Sequence, residues 1–136
     1  MTGPTPYLLF DGGARAALEF YAETFGGSAE LHSFAEFGRD DGPSERIAHG
    51  HLLTPQLSLY AADVGTGEDF FVARGIMLSL LGTTEPDILH RWFDRLAQGG
   101  STVQPLQERA WAASDGQVID QFGVHWLIGY EGERPA

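Results

Sequence analysis

The order of predicted elements repeats along the chain, and this repeat restricts the fold more than any other sequence feature. In each half, a strand is followed by a helix and then by three strands. The first helix ends at Gly26-Gly27 and the second ends 99 − 26 = 73 positions later at Gly99-Gly100. A repeated order of elements indicates an internal duplication. The sequence therefore predicts an α+β fold in which two tandem βαβββ modules form a curved mixed sheet around one cavity, with the helices outside.

Hydrophobic spacing predicts both helices. Apolar residues three and four positions apart form a stripe in residues 14–25, for which Asp11 is the candidate N-cap, and a second stripe after Thr83 or Thr84. The predicted strands cover residues 5–10, 28–37, 46–53, 56–62, 76–81 and 102–107, followed by a final hairpin. We interpret residues 1–136 as one domain, with module 1 at about 5–63 and module 2 at about 75–130, because neither half buries enough surface alone.

The final hairpin is the clearest strand signal. Residues 118–128 contain two apolar, β-prone runs around a turn that begins with Asp120 and ends with Gly123. Alternation along the second run predicts Trp126 on one face and His125 on the other. We therefore interpret Asp120 as a turn residue and Trp126 as part of the core.

Charge and cysteine content exclude several classes of function. The chain carries 8 basic and 19 acidic side chains, a net charge of −11, which argues against nucleic acid and anionic membranes as partners. It contains no cysteine, which excludes thiolate nucleophiles, disulfides and cysteine-ligated metal centres. The N-terminal segment does not have the pattern of a secretory signal, and no stretch approaches the roughly 20 apolar residues of a spanning helix. We therefore expect a cytoplasmic protein.

Short segments between residues 6 and 128 give the chain a family resemblance. They are Pro6-Tyr7-Leu8-Leu9-Phe10, Ala17-Leu18-Glu19-Phe20-Tyr21, Phe25-Gly26-Gly27, Ile47-Ala48-His49, Trp111 and Asp120-Gln121-Phe122-Gly123-Val124-His125-Trp126. In this order they resemble the vicinal oxygen chelate superfamily, which includes glyoxalase I, extradiol dioxygenases and bleomycin-binding proteins. Within it, the chain is similar to the PhnB-like branch, also labelled as a 3-demethylubiquinone methyltransferase domain. The sequence has no glycine-rich nucleotide loop, so it does not support the activity in that label.

The resemblance implies where a metal would be held. Metal-using relatives take His, Gln or Glu ligands from the first and last strands of each module. The corresponding strands of this chain offer Gln56, Tyr60, Ser79 and Leu127. These residues do not form the His and carboxylate sets that bind transition metals. We therefore expect the superfamily metal site to be missing, and we predict no cofactor.

Two residues depart from the pattern of the branch. Gln121 replaces the usual proline of the final turn, and His51 replaces a usual carboxylate. His49 and His51 are two positions apart on one strand, so both side chains point to the same face. With His125 they could form a different divalent-metal site. Alternating histidines more often form a solvated face or a pocket lining, so the metal site is the alternative.

The remaining site candidates are aromatic. Trp111 precedes the final hairpin, where it could stack on a flat ligand, or contact the core or a second copy of the chain. Tyr7 and Tyr60 could present hydroxyl groups to a cavity or contribute only to packing. The candidate ligand-binding residues are Tyr7, His49, His51, Tyr60, Trp111 and His125, and no catalytic residue is assigned. His32 and His90 lack a partner pattern, and we expect both at the surface.

Three functions are compatible with these features. We favour a PhnB-like protein that binds a small organic molecule in the cavity between the modules, without a metal. The alternative is a metal-dependent lyase, isomerase, dioxygenase or transferase of the same superfamily, so the sequence leaves open whether the protein is an enzyme. A third interpretation is a protein with a vestigial cavity that acts through its surface. Proteins of this fold often pair two chains, so we expect a homodimer.

Overall fold

The chain consists of two units with the same element order. The computed structural model describes residues 4–69 and 74–132, and the chain divides into compact units at Met1–Val72 and Ala73–Ala136. Each unit has one helix and a four-stranded mixed sheet in the order βαβββ. The predicted α+β class and the tandem βαβββ order are therefore confirmed. The assignment of both modules to a single domain stays a prediction.

The first unit packs one helix on one face of its sheet. Its elements are β1 (Tyr7–Phe10), α1 (Ala14–Phe25), β2 (Ser28–Ser33), β3 (Ile47–Leu53) and β4 (Ser58–Asp63). The strand order is β1-β4-β3-β2, and β1 runs parallel to β4. Leu18 and Tyr21 of α1 are fully buried, and Gly50 of β3 leaves room for Leu18, since a Cβ there would overlap it. We call the opposite face of this sheet the helix-free face.

The second unit repeats this arrangement. Its elements are β5 (Leu78–Leu81), α2 (Pro86–Ala97), β6 (Ser101–Glu108), β7 (Ser114–Ile119) and β8 (His125–Tyr130). The strand order is β5-β8-β7-β6, and β5 runs parallel to β8. Trp126 and Ile128 are buried in the core, whereas His125 and Leu127 alternate to the other face and are half-buried. The predicted alternation in the last strand is therefore confirmed.

The glycine pairs after the two helices have equivalent geometry. A Cβ on Gly27 would overlap the carbonyl oxygen of Leu53, and a Cβ on Gly100 would overlap that of Ile119. Leu53 ends β3 and Ile119 ends β7, which are the same strands of the repeat. The preceding glycine has a φ of 75° in the first unit and 74° in the second, a conformation that glycine adopts without strain. These matching constraints support the predicted duplication.

The predicted N-cap of the first helix is wrong. The capping position is Gly13, which has no side chain, and Asp11 instead pairs with Arg46 at 2.9 Å. The carboxylate of Asp63, at the end of β4, accepts hydrogen bonds from the backbone N–H of Ala14 at 3.0 Å and of Ile47 at 2.9 Å. Asp63 lies 49 positions from Ala14 along the chain, so a local capping pattern could not reveal this acceptor.

The predicted caps of the second helix, Thr83 and Thr84, are also wrong. The capping position is Glu85, whose side chain makes no capping hydrogen bond, and Pro86 is the first helical residue. Proline suits this position because its φ is preset and the missing N–H would have no helical partner. Both helices have 12 residues, and no helix in the described part of the chain is long and apolar enough to span a membrane.

All four strands of the first unit are shorter than predicted, and β2 and β4 show the differences that have a clear cause or affect a candidate residue. Strand β2 ends at Ser33, because the Ser33 N–H donates to the Glu36 carboxylate at 2.7 Å and the Glu36 N–H donates to the Ser33 hydroxyl at 3.2 Å. This reciprocal arrangement starts a turn, as a capping box does. Strand β4 begins at Ser58, so Gln56, which the sequence placed in this strand, lies in the preceding turn.

Candidate functional site

Four of the six candidate residues meet on the helix-free face of the first sheet. Tyr7 is aligned with Tyr60 between β1 and β4, and Tyr60 is aligned with His51 between β4 and β3. His49 precedes His51 by two positions, so its side chain lies on the same face. We call Tyr7, His49, His51 and Tyr60 the ring cluster.

Tyr60 is at the centre of the ring cluster. Its ring centroid lies 4.7 Å from that of His51, 5.2 Å from that of His49 and 5.8 Å from that of Tyr7. These separations and the tilted ring planes are typical of favourable aromatic contacts. Tyr7 is 48% exposed, and the other three side chains are half-buried. The four rings therefore form one continuous surface that solvent can reach.

Hydrogen bonds fix the orientation of both imidazoles. The Tyr7 hydroxyl lies 2.9 Å from Nδ1 of His49. The Ser58 hydroxyl lies 2.9 Å from Nε2 of His51. Ser58 was not among the residues predicted from the sequence, although Ser58 precedes Tyr60 by two positions and alternation alone places it on the same face. One ring nitrogen of each histidine is therefore hydrogen-bonded to a neighbouring side chain of the sheet.

The electrostatic environment keeps the Tyr7 phenol neutral. Burial raises the pKa of Tyr7 above its usual value of 10.0, and the positive charge of Arg39 partly opposes this shift. Arg39 stacks on the Phe34 ring at 3.8 Å and donates two hydrogen bonds to Asp41, at 3.0 and 2.6 Å. These bonds raise the pKa of Arg39 and lower that of Asp41. The phenol therefore keeps its proton at neutral pH.

The other two candidates belong to the second unit, where each has separate surroundings. His125 is half-buried and its Nε2 lies 3.0 Å from the Gln117 side-chain oxygen. Trp111 is 69% exposed, in the connection between β6 and β7. The next residue, Ala112, has a φ of 71°, and the Arg109 guanidinium donates to the Asp115 carboxylate at 2.9 Å within the same hairpin. Trp111 is therefore displayed on a hairpin with a fixed conformation.

The two histidines left out of the candidate site have partners. His32 lies 3.2 Å from the Glu30 carboxylate and stacks on Phe37 with a centroid distance of 5.8 Å. Its side chain is 37% exposed, in agreement with a surface position. His90 is half-buried on α2 and lies 2.8 Å from the Tyr130 hydroxyl. His90 is therefore partly exposed and contacts the end of β8, a partner that the sequence did not reveal.

The donor set does not fit the superfamily metal. The aligned positions of the first and last strands of each unit carry two phenols, one hydroxyl and one hydrocarbon, from Tyr7, Tyr60, Ser79 and Leu127. A divalent transition metal requires imidazole, carboxylate or thiolate ligands, which these four positions do not supply. Within residues 4–69 and 74–132, no three His, Asp or Glu side chains are grouped as metal ligands.

Comparison with known proteins shows the family. The profile of the family described as 3-demethylubiquinone-9 3-methyltransferase matches residues 2–129, and the chain belongs to this family. The crystal structure of protein PA1353 from Pseudomonas aeruginosa has 32% sequence identity and a TM-score of 0.80, and the match covers 98% of this chain and 100% of that chain.

The family match confirms the predicted resemblance, and two further structures that carry the names of the PhnB-like branch and of the superfamily share the fold. One is described as a putative 3-demethylubiquinone-9 3-methyltransferase, PhnB protein, from Bacillus cereus, with 20% identity, a TM-score of 0.79 and coverage of 95% and 99%. The other is a glyoxylase/bleomycin resistance protein/dioxygenase domain from Frankia sp. EAN1pec, with 17% identity, a TM-score of 0.64 and coverage of 98% and 99%. At these identities the likeness shows the fold, and the activity must be argued from the site.

Proposed function

We propose that the protein binds a small, flat organic molecule against the ring cluster and uses no resident metal. The observation that carries this proposal is the continuous ring surface centred on Tyr60, with centroid distances of 4.7 to 5.8 Å to its three neighbours. An aromatic contact contributes about 0.5–1.5 kcal/mol beyond the burial of area. A flat ligand that contacts several of these rings therefore gains stacking energy from each of them.

Polar groups at the edge of the ring cluster supply orientation. A small-molecule site typically combines an apolar, aromatic lining with a few fixed hydrogen-bonding groups. The ring cluster meets this description, because its two imidazoles are each fixed by a neighbouring hydroxyl, from Tyr7 and Ser58. No metal is needed for such binding, and the residues at the expected ligand positions do not favour one.

The family relationship is compatible with this proposal but does not define the ligand. The family description names a methyltransferase activity. Each unit of this chain, however, is a βαβββ module with a mixed sheet. Nucleotide cofactors typically bind to a doubly wound parallel sheet with a glycine-rich loop. The ring cluster of this chain therefore carries the argument.

Ligand screening with a matched pair of variants tests the proposal. Flat aromatic compounds are first screened against the native protein by thermal shift, and binding of each hit is measured by calorimetry. Tyr60→Leu removes the central ring, and we expect it to weaken binding at least tenfold, because three ring contacts depend on Tyr60. Phe20→Leu removes an aromatic side chain from α1 of the same unit and serves as the control.

The comparison of the two variants separates binding from stability. We expect Phe20→Leu to bind each hit within twofold of the native protein, with both variants folded by circular dichroism. Equal binding by the native protein and a folded Tyr60→Leu variant would show that the ligand lies elsewhere.

A further inference from the structure

The contact between Tyr7 and His49 determines which hydrogen-bonding group His49 offers to a ligand. The phenol oxygen lies 2.9 Å from Nδ1 of the imidazole. In a neutral imidazole, one ring nitrogen carries the proton and donates, while the other accepts. The direction of the hydrogen bond at Nδ1 therefore fixes the role of Nε2.

The phenol is the better donor of the two groups. A phenol O–H ionises near pH 10, whereas the N–H of a neutral imidazole is a much weaker acid and its bare nitrogen is the basic site of the ring. Burial raises the pKa of Tyr7 further, so its O–H is present throughout the neutral range. Tyr7 therefore donates a hydrogen bond to Nδ1, and the ring proton of His49 resides on Nε2.

Nε2 of His49 has no hydrogen-bond partner within the part of the chain that the structure describes, residues 4–69 and 74–132. Its ring lies next to Tyr60, with a centroid distance of 5.2 Å. A hydrogen-bond donor thus borders the stacking surface at the centre of the ring cluster. The contact between Ser58 and His51 does not determine which ring nitrogen of His51 carries the proton, since the Ser58 hydroxyl can either donate to Nε2 or accept from it.

We propose that the ring cluster selects flat ring compounds that carry a carbonyl-type oxygen, because His49 presents Nε2–H as a donor that Tyr7 holds in this tautomer. This inference rests on the proposed function and specifies its ligand class. A flat compound with only donor groups would stack equally well but would leave Nε2–H without an acceptor, and an unmatched polar group lowers affinity.

Nuclear magnetic resonance of ¹⁵N-histidine-labelled protein tests the tautomer without any ligand. The chain has five histidines, and His49→Gln assigns the His49 signals by their loss. We expect a protonated Nε2 and an unprotonated Nδ1 in the native protein, and a shift towards the other tautomer in Tyr7→Phe. Tyr130→Phe is the control, because it removes the hydroxyl 2.8 Å from His90 and leaves His49 unchanged. A protonated Nδ1 in the native protein would overturn the inference.

Two flat probes test the ligand class. Coumarin carries a carbonyl acceptor and no donor, whereas indole carries an N–H donor and no oxygen. We expect the native protein to bind coumarin about fivefold more tightly than indole, the range expected for one neutral hydrogen bond. The preference should fall towards unity in Tyr7→Phe and persist in Tyr130→Phe.

The outcomes separate this inference from the proposed function. Equal binding of both probes, or a preference that Tyr7→Phe retains, would overturn the inference and leave the proposed function intact. Binding of neither probe at millimolar concentration would overturn both.

Discussion

The first unit uses its buried carboxylate to connect a helix to the sheet, whereas the second unit uses its buried carboxylate to hold a turn. Asp63 and Asp120 are each 3% exposed. Asp63 accepts from backbone N–H groups at the start of α1 and of β3. Asp120 accepts from the Val124 N–H at 3.1 Å and from the Trp126 indole at 2.9 Å. The duplicated fold therefore does not require a buried carboxylate at the same position of each unit.

The second difference concerns the faces opposite the helices. Equivalent register positions carry Tyr7, Tyr60 and His51 in the first unit, and Ser79, Leu127 and Gln117 in the second. A side-chain hydrogen bond between the third and fourth strands is kept in both units, between His51 and Ser58 and between His125 and Gln117. Since the second unit has this fold without a ring cluster, the rings of the first unit are not a requirement of the fold. This difference supports a ligand-binding role for them.

The largest effect is expected from Asp63→Ala. The substitution removes the acceptor of three backbone N–H groups, those of Gly12, Ala14 and Ile47. We expect a loss of about 3–5 kcal/mol in the free energy of unfolding, because buried donors without acceptors each cost about 1–3 kcal/mol. Urea unfolding followed by circular dichroism measures this loss.

Asp11→Ala is the matched control for that prediction. Asp11 is the acid that local pattern placed at the helix start, but its side chain is 63% exposed and pairs with Arg46 at the surface. An exposed ion pair contributes less than about 1 kcal/mol. If Asp11→Ala destabilised the protein as much as Asp63→Ala, the assignment of Asp63 as the carboxylate that stabilises the start of α1 would be wrong.

A smaller and equal effect is expected from Gly27→Ala and Gly100→Ala. In both variants the new methyl group would overlap a backbone carbonyl oxygen at the end of the third strand of the unit. We expect each to cost about 1–3 kcal/mol, as is typical of overpacking. Thermal denaturation of the two variants provides the comparison. Full tolerance of one substitution with a large loss from the other would mean that the two positions are not equivalent.

The smallest effect is expected from the ionisation of Tyr7. Its pKa in the folded protein is raised above the usual value of 10.0 by burial, so its contribution to stability is present below pH 10 and is lost as the pH rises through the folded-state pKa. The ultraviolet titrations of the native and Tyr7→Phe proteins should differ by one phenol that titrates above its usual range. Native and Tyr7→Phe proteins with the same amount of late-titrating phenol would contradict this environment for Tyr7.

The sequence predicted the element order, the fold class and the faces of the strands, since these follow from local periodicity and the repeat. Alternation placed His49 and His51 on one face and separated His125 from Trp126. Local pattern could not show that Tyr7 reaches His49, because they lie 42 positions apart and are aligned only through the register of three strands.

The helix starts failed for the same physical reason. Asp11 and the two threonines at 83 and 84 fit the local N-cap pattern. The acceptor at α1 nevertheless comes from the end of a distant strand, and α2 starts at a proline without a side-chain cap. Ser58 was within reach of sequence reasoning, because alternation with Tyr60 already assigns its face. Arg39 was not, because its position near Tyr7 depends on the loop that follows β2.

Chemical-shift mapping of the aromatic and histidine side chains during titration with coumarin is the most direct test of ligand binding at the ring cluster. We predict that the largest changes occur at Tyr7, His49, His51 and Tyr60, with Tyr60→Leu abolishing them. Changes of equal size throughout both units, or changes confined to Trp111 and the second unit, would contradict this account.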